Sequence, residues 1–436
     1  MSKIHAEPTK NFFINMITRD IGLNDCIYDL IDNCLDGATQ ENLRLKKESD
    51  DLKGYFADIE ITKDKFSIKD NCGGISIDEA TNYAFHFGRK DNDPQIGRKS
   101  IGLYGIGMKR AIFKIGRFIV IKSETFNEAF KVDIDVENWA ISPKWEFELV
   151  QQTVTGNLGT TITITKITND ISASFNDEAF INTLNRNIAK YYALFMEKGF
   201  KVKLNGKSIK PYIYKFEVSE DIIPANFTYI DEPSNIEVQI ISGIAASPPD
   251  DFSAEVKQRN PENWGWYVVC NDRVVIAGDK TSDTIWGDNG FTRWHPQYNG
   301  FMGMVKFTSD DASLLPWTTT KREIDQSSGV YRRALIKMKE STKPITNYTS
   351  ARKENKEEAK SIESKAVATP VFNLSKSTTI RTPVFKASPK KTTIIQYNKP
   401  IEIVEKVAKS LGSKRMSNKD VGIKTFNYYV ENEIED

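Results

Sequence analysis

The spacing of apolar and polar residues predicts alternating helices and strands through the first 168 residues. Residues 11–45 repeat apolar side chains at helical intervals and include the stretch IYDLIDNCLDGA. The stretch ADIEITKDKFSIKDN then alternates twice around KDK, which predicts a β-hairpin with Asp70 where its second strand ends. Further alternating stretches between 117 and 167 predict antiparallel strands. The order is that of an α+β layered domain and not of a regular βαβ repeat.

The pattern of the remaining chain predicts three more segments. Residues 169–342 open with a helix, include the strand WGWYVVCNDRVVIAG and end with a helix. Residues 343–393 are rich in Lys, Ser, Thr, Glu and Pro, a composition typical of a flexible linker. Residues 394–436 recover helical periodicity and predict a small helical module. We therefore divide the chain at these boundaries, with 1–168 as the first domain.

The composition excludes several classes of protein. Of 436 residues, 39% are hydrophobic, and 60 basic residues against 59 acidic ones give a net charge of +1, which supplies no global attraction to nucleic acid or to an anionic membrane. Four cysteines without a CxxC pair and only three histidines argue against a zinc site, a disulfide framework and a Ser/His/Asp triad. No apolar run approaches the ~20 residues of a membrane span. The N-terminal MSKIHAEPTKNFF lacks the apolar core of a secretory signal. We expect a cytoplasmic protein with reduced cysteines.

The helix that contains IYDLIDNCLDGA carries a dense acidic arc. Four aspartates and one asparagine share one narrow side of the helical wheel, and the opposite side is apolar. The arc consists of Asp25, Asp29, Asp32, Asn33 and Asp36. A solvated face is the ordinary explanation, but solvated faces usually mix charges because like charges four residues apart destabilise a helix. The arc therefore also predicts a cation site, with a metal ion as the first candidate.

The glycine-rich stretch SIGLYGIGMKR has two explanations. Glycines that bring backbone N–H groups towards an anion just before a helix form a recurrent phosphate site. A Walker A motif requires a lysine where Met108 stands, and the Rossmann fingerprint requires GxGxxG after a strand, so neither fits. Nearby basic residues favour phosphate binding; they are Arg89, Lys90, Arg98, Lys99 and Lys109. A tight turn in a solvated basic loop is the other explanation.

The stretch SIKDNCGGIS also has two explanations. An Asp at the end of a strand, followed by paired glycines, is commonly only a turn. Asp70 could instead accept a hydrogen bond from an exocyclic amine, the usual means of choosing adenine over guanine. Gly73 and Gly74 would then let a flat base approach the backbone.

Taken together, these stretches resemble the motifs of the GHKL superfamily of ATP-binding proteins. The superfamily includes type II topoisomerase B subunits, heat-shock chaperones of the ninety-kilodalton class, histidine kinases, MutL and MORC. DLIDNCLDGA, DNCGGI, GLYGIG and GTTITI are similar to its four motifs, in the same order, over some 130 residues. The resemblance implies a Bergerat-fold α/β sandwich, in which a mixed, mostly antiparallel sheet carries helices on one face.

The resemblance implies a role for each motif residue. Asn33 would bind magnesium, with Asp32 and Asp36 on the same acidic face. Asp70 would accept a hydrogen bond from the adenine amine, supported by Thr160 through water. Further contacts to the nucleotide, mostly backbone amides that face the phosphates, would come from Gly74, Lys99, Gly102, Gly105, Ile106, Gly107, Met108 and Lys109.

The sequence departs from the family pattern at two positions. Asp29 stands where hydrolysing members carry a Glu that activates water, and Asp is one methylene shorter. Since a ~1 Å misplacement can cost about a hundredfold in rate, we expect slow turnover, with loss of hydrolysis as the alternative. Cys72 replaces the first glycine of the D-x-G-x-G motif. Residues 88–104 would form the lid over the nucleotide.

The second segment, 169–342, resembles a transducer domain of the gyrase, MutL and MORC branch. YVVCNDRVV is similar to a transducer strand with an Asn and an Arg, and TTTKREID to the loop that carries a lysine to the γ-phosphate. Lys321 is the candidate for that catalytic lysine, and Arg322 is its rival. Such a lysine would stabilise charge that develops on the transferred phosphoryl group.

The resemblance implies a magnesium-dependent ATP-binding protein with slow ATPase activity. ATP would drive a homodimeric switch or clamp in which residues 1–20 help to join two protomers, and 394–436 would recruit an unidentified protein partner. A non-hydrolysing ATP-sensing interaction protein is one alternative. The ATPase subunit of a nucleic-acid-processing complex is another, with DNA binding by the Lys-rich linker possible although the net charge does not support it. No membrane association is expected.

Overall fold

The computed structural model of the chain describes most of the sequence. The described residues are 9–88, 101, 105–250, 261–288, 290–318, 320–385, 393–413 and 416–434. They fall into two units, Met1–Phe385 and Lys386–Asp436.

The alternating stretches of the first segment form one eight-stranded sheet. Its strands are β1 (Phe56–Thr62), β2 (Lys65–Asp70), β3 (Gly116–Glu124), β4 (Ala129–Asp135), β5 (Leu149–Gln152), β6 (Gly159–Ile167), β7 (Lys201–Leu204) and β8 (Lys207–Ser208). The order is β5-β4-β3-β6-β2-β1-β7-β8, and neighbours are antiparallel except for the parallel pair β1 and β7. The predicted hairpin is confirmed, with Thr62 opposite Lys65 across its two-residue turn. Its last two strands lie beyond residue 168.

Helices precede and separate these strands along the chain. They are α1 (Lys10–Arg19), α2 (Leu23–Arg44), α3 (Ile77–Glu79), which continues as a π-turn (Ala80–Ala84), α4 (Gly107–Ile115), α5 (Val136–Ile141), α6 (Asn169–Phe175), α7 (Glu178–Tyr191) and α8 (Ala193–Glu197). Alternate strand residues such as Ile59, Ile119 and Ile164 are fully buried against α2 and α4. The predicted α+β class, with a mixed and mostly antiparallel sheet, is confirmed.

The predicted helical stretch 11–45 is two helices. Thr9 caps α1 by accepting a hydrogen bond from the N–H of Phe12, and Gly22 in an extended conformation precedes α2. Lys10 is buried and donates from its Nζ to the carbonyl oxygens of Trp139 and Ser142, each at 2.9 Å. This contact ties the first turn of α1 to the end of α5.

A second, five-stranded sheet follows in the same unit. The further strands are β9 (Lys215–Val218), β10 (Ala225–Asp231), β11 (Ile236–Ile244), β12 (Gly265–Cys270), β13 (Arg273–Asp279), β14 (Phe301–Thr308) and β15 (Val367–Pro370). The five-stranded order is β10-β11-β14-β12-β13, and β9 pairs with β15. Helix α9 (Gly329–Arg352) packs against β11 and β14, and α10 (Lys356–Glu363) follows it.

The expected flexible linker at 343–393 is wrong for the residues described up to 385. Helix α9 continues through Pro344 to Arg352, and β15 pairs antiparallel with β9. Arg352 donates to the Glu363 carboxylate at 2.7 and 2.9 Å, and Tyr348 is buried beside them. The polar composition predicted disorder, but these buried side-chain contacts hold the segment against the rest of the fold. Composition alone does not indicate such contacts.

The described residues of the second unit form two helices, α11 (Ile401–Ser410) and α12 (Asn418–Glu433). Ala408 and Val421 are buried in it, whereas Ile401, Phe426 and Tyr428 are exposed. No helix within the described ranges has the length and apolar character needed to cross a membrane. All four cysteines of the chain are free and buried.

Candidate active site

A large cavity opens between α2, the turn after β2, and the start of α4. Its volume is about 1110 Å³. Among its lining residues are Asp29, Asn33, Asp36, Cys72, Gly73, Gly74, Gly105, Ile106, Gly107, Met108, Lys109, Arg110 and Lys321. The cavity therefore gathers residues from three sequence motifs and from a loop almost 300 positions away in the chain.

The acidic arc of α2 is not a solvated face. Asp29 and Asp32 are only 4% and 1% exposed. Asn33, by contrast, is exposed and lines the cavity, and its amide makes no hydrogen bond within the described part of the chain. Asp36 accepts a hydrogen bond from the N–H of Ile101 at 2.6 Å. The arc thus offers one accessible amide to the cavity and buries two carboxylates beside it.

The buried Asp32 is held by three partners from later in the chain. Lys321 Nζ lies 2.8 Å from its Oδ2, and Arg273 Nε (3.1 Å) and Tyr192 Oη (2.8 Å) donate to its Oδ1. Burial alone would raise the pKa of Asp32, but the charges of Lys321 and Arg273 hold that pKa below its ordinary value. Asp32 is therefore ionised and serves as a fixed anchor for two buried cations.

Asp29 lies one turn earlier and contacts a different cation. Arg110 on α4 donates from Nε and Nη2 to the same carboxylate oxygen, Oδ2, at 2.8 and 2.7 Å. Lys321 Nζ lies 3.5 Å from the other oxygen, Oδ1. A Cβ at Gly107 would lie 3.2 Å from this carboxyl group, so the start of α4 approaches α2 as closely as only glycine easily permits. The predicted base is thus present in the cavity wall, but in an ion pair.

Lys321, and not its neighbour Arg322, reaches the cavity. Lys321 is 7% exposed and lies between Asp29 and Asp32, whose charges raise its pKa against the opposing effect of burial. Arg322 turns away, pairs with Asp25 and places its guanidinium 5.2 Å from the ring centre of Tyr28. The geometry therefore favours Lys321 over its rival.

The glycine-rich loop delivers backbone amides to the cavity. Gly105 has φ +63°, and no side chain caps α4, which begins at Gly107 after Ile106. The first N–H groups of such a helix lack intrahelical acceptors and form a natural anion site. Lys109 is buried and donates to the carbonyl oxygen of Ala84 at 2.9 Å. The predicted contacts Lys99 and Gly102 lie outside the described residues, as does most of the predicted lid, 88–104.

Asp70 and Thr160 lie together, but neither is among the cavity-lining residues. Asp70 Oδ1 accepts hydrogen bonds from the N–H groups of Cys72 (2.8 Å) and Thr160 (3.2 Å), and Cys34 Sγ lies 3.7 Å from Oδ2. Cys72 lines the cavity two residues later. Gly74 has φ +71°, and a Cβ there would lie 2.2 Å from the carbonyl oxygen of Glu124, so this turn requires glycine.

Burial raises the pKa of Asp70 to about 6, from an ordinary value of 3.8. Since the folded state binds this proton more tightly than the unfolded chain, the contribution of Asp70 to stability is complete below pH 3.8 and is lost as the pH rises through about 6. We expect the free energy of unfolding to fall by on the order of 2–3 kcal/mol over this window because of Asp70. Urea denaturation at a series of pH values measures the change, and Asp70→Asn should remove it. Parallel pH profiles for parent and variant would contradict this assignment.

Arg110, Arg273 and Tyr192 contact the acidic arc, and the sequence motifs gave none of them a role in the site. All three are buried. A charged residue among the apolar side chains of α4 was the available signal for Arg110, and an Arg in an otherwise apolar strand was the signal for Arg273. Neither signal indicates which carboxylate each arginine contacts. The partner of Arg110 lies 81 positions away in the chain, and that of Arg273 lies 241 positions away.

The match of this segment to a family of known proteins agrees with this geometry. Residues 21–169 match the family model described as histidine kinase-, DNA gyrase B-, and HSP90-like ATPase. No curated protein matches the chain. The matched segment runs from just before α2 to just after β6 and holds all the cavity-lining residues named above except Lys321. Residues 21–169 are therefore an ATPase domain of the GHKL superfamily.

Proposed function

We propose that this protein binds ATP with magnesium in the cavity of the GHKL domain and hydrolyses it slowly. One observation carries most weight: the exposed Asn33 amide, the uncapped start of α4 and the buried Lys321 share a single cavity. A triphosphate would complement the cations and N–H groups, and its metal would meet the amide oxygen.

Magnesium suits the residues that are present. Among the described residues, no group of three or more His, Cys, Asp and Glu could hold a metal ion. Magnesium that accompanies a nucleotide needs only one or two protein oxygens, because phosphates and waters complete its octahedron. Asn33 would supply that oxygen, and the bound metal would neutralise phosphate charge.

The adenine base of the nucleotide would bind near Asp70. We expect the adenine amine to approach the Asp70 carboxylate beside Cys72, with Thr160 held in place by its own N–H donating to Asp70. Because Oδ1 already accepts two backbone hydrogen bonds, Oδ2 is the oxygen assigned to the base. At a pH well above 6, Asp70 is ionised and acts only as an acceptor.

Slow turnover follows from the state of Asp29. As general base it would take a proton from the attacking water. Its side chain is one methylene shorter than that of Glu, and one of its two carboxylate oxygens, Oδ2, is already held by Arg110. The same ion pair supports the alternative function, a nucleotide sensor that binds ATP without turnover.

We further propose that ATP controls a homodimer. Helix α1 carries Phe12 and Met16 on one face, and these side chains are 61% and 52% exposed. Residues four apart on a helix form a continuous patch. Lys10 fixes α1 to α5, so such a contact would be transmitted to the ATPase domain.

The second unit would recruit a protein partner. Its two helices expose Ile401, Ile403, Phe426 and Tyr429 while burying little of their own surface. A pair of helices this short rarely builds a sufficient core alone, so we expect these apolar side chains to pack against another protein.

Phosphate release by the purified chain tests the proposed activity. We expect slow release that requires magnesium and weakens in Asn33→Ala, because the variant lacks the metal-binding oxygen. Light scattering with a non-hydrolysable ATP analogue should show a doubled mass, which Phe12→Asp should prevent. Binding of ATP without any release would support the sensor function, and unchanged metal dependence in Asn33→Ala would remove that residue from the site.

A further inference from the structure

Arg110 occupies a position between the cavity and the predicted base. It is buried, lines the cavity, and stands on the first turns of α4, directly after the glycine-rich loop. Its two nitrogens converge on one oxygen of Asp29, at 2.8 and 2.7 Å. Such charge-assisted hydrogen bonds are strong and directional.

This contact determines which oxygen of Asp29 can react. Oδ2 is occupied by the guanidinium, and Gly107 approaches it so closely that a Cβ there would lie 3.2 Å from Oδ2. Oδ1 is contacted only by Lys321 in the described residues, at a longer distance of 3.5 Å. Asp has only two side-chain torsions, so fixing one oxygen fixes the direction of the other.

We propose that Arg110 is a positioning residue that orients Asp29 for proton transfer from water, so that Asp29 and Arg110 together replace one longer carboxylate. The inference rests on the proposed ATPase function. In the assisted step, a water oxygen bonds to the γ-phosphorus and the bond from that phosphorus to its bridging oxygen breaks. The electron pair leaves on ADP, and the proton of the water goes to Asp29 Oδ1.

The arrangement accounts for both a working and a slow base. Orientation within about 1 Å is worth roughly a hundredfold in rate, which a flexible short carboxylate would otherwise lose. The guanidinium that provides this orientation also occupies Oδ2, so a single oxygen of Asp29 remains to meet the water. Arg110 therefore orients Asp29 but leaves it only one oxygen for the reaction.

Two other roles for Arg110 predict different kinetics. If Arg110 only tied α4 to α2, its loss would lower stability without a specific effect on kcat. If Arg110 bound a phosphate directly, its loss would weaken ATP affinity together with kcat. A positioning residue lowers kcat and leaves the Kd for ATP unchanged.

The test compares kcat, the Kd for ATP and thermal unfolding across a set of variants. Arg110→Ala should lower kcat by about a hundredfold with unchanged Kd, and Arg110→Lys, which retains the buried charge, should lose less. Asp29→Glu in the Arg110→Ala background should recover much of the loss, since the longer carboxylate needs no positioning. Lys114→Ala is the matched control, because Lys114 joins the same helix to the Thr18 carbonyl oxygen at 2.9 Å and does not line the cavity.

Several results would overturn the inference. An unchanged or increased kcat in folded Arg110→Ala would do so, as would a parallel loss of kcat and affinity. Failure of the added Glu to raise kcat above that of Arg110→Ala would show that the two residues are not one unit. If Arg110→Ala did not fold, a kcat for Arg110→Lys equal to that of the parent would decide against positioning. If the parent protein bound ATP but released no phosphate, both the proposed hydrolysis and the role of Arg110 would be wrong. If the parent hydrolysed ATP and the variants did not behave as expected, only the role of Arg110 would be wrong.

Discussion

Replacing Asp29 with Asn should reduce phosphate release to near background while ATP still binds. Asn keeps the shape of the side chain but cannot accept a proton from water. General-base catalysis contributes typically about 10²–10⁴-fold, so the rate should fall within that range. The change also removes a negative charge beside Lys321 and Arg110. These cations would then face the triphosphate without competition, so the affinity for ATP should be retained or increased.

Single-turnover release and equilibrium binding separate these two effects. Asp133→Asn is a suitable control, because Asp133 is exposed on β4, pairs with Lys131 and does not line the cavity, and the substitution makes the same change in charge. The control should match the parent in both measurements. Equal release from the parent and Asp29→Asn would exclude Asp29 as the base.

Replacing Arg273 with Met should destabilise the fold more than any other single change considered for this chain. Arg273 is 3% exposed, donates to Asp32 and to the carbonyl oxygen of Val274, and lies 4.3 Å from the ring centre of Tyr192. Removing one partner of a buried ion pair leaves a buried charge without compensation. Such losses are about 3–5 kcal/mol, and the remaining contact from Lys321 to Asp32 places the expectation at the lower end.

Urea unfolding followed by circular dichroism measures this loss. Lys65→Met provides the matched control, because it removes a cation from the exposed pair with Glu60, which spans 2.9 Å. Exposed pairs contribute up to about 1 kcal/mol. An Arg273→Met variant as stable as the Lys65→Met control would show that the buried contact between Arg273 and Asp32 does not stabilise the fold.

Local patterns predicted the parts of the site that each stretch builds by itself. The acidic arc, the turn at Gly74 and the glycine loop before α4 each depend on only a few neighbouring residues. Helical spacing of apolar residues indicates the arc, and glycines indicate backbone positions with positive φ. The hairpin of β1 and β2 was predictable for the same reason.

The partners of the acidic arc could not be predicted in this way. Asp32 meets Tyr192, Arg273 and Lys321, at separations of 160, 241 and 289 residues. No periodicity links such positions, and only the packing of the second region against α2 brings them together. Asp29 and Asp32 of the arc are therefore buried beside cations from elsewhere in the fold, which an isolated helical wheel cannot show.

The segment 343–385 illustrates a second limit. Its Lys, Ser, Thr and Glu content resembles a disordered linker, yet the pair of Arg352 and Glu363 is buried and Ile345 packs in the core. Charged residues are almost never fully buried unless they are paired. By composition Arg352 and Glu363 count as polar surface residues, whereas in the fold they are buried as an ion pair.

The most direct test of ATP binding in this cavity is a calorimetric titration of the full chain with ATP and magnesium, repeated with Asp70→Asn. We expect saturable binding of one ATP per chain and a weaker affinity in the variant. A hydrogen bond to a charged group contributes about 1.5–3 kcal/mol, which corresponds to an affinity loss of roughly tenfold or more. No binding by the parent, or equal affinity in parent and variant, would contradict the assigned pocket.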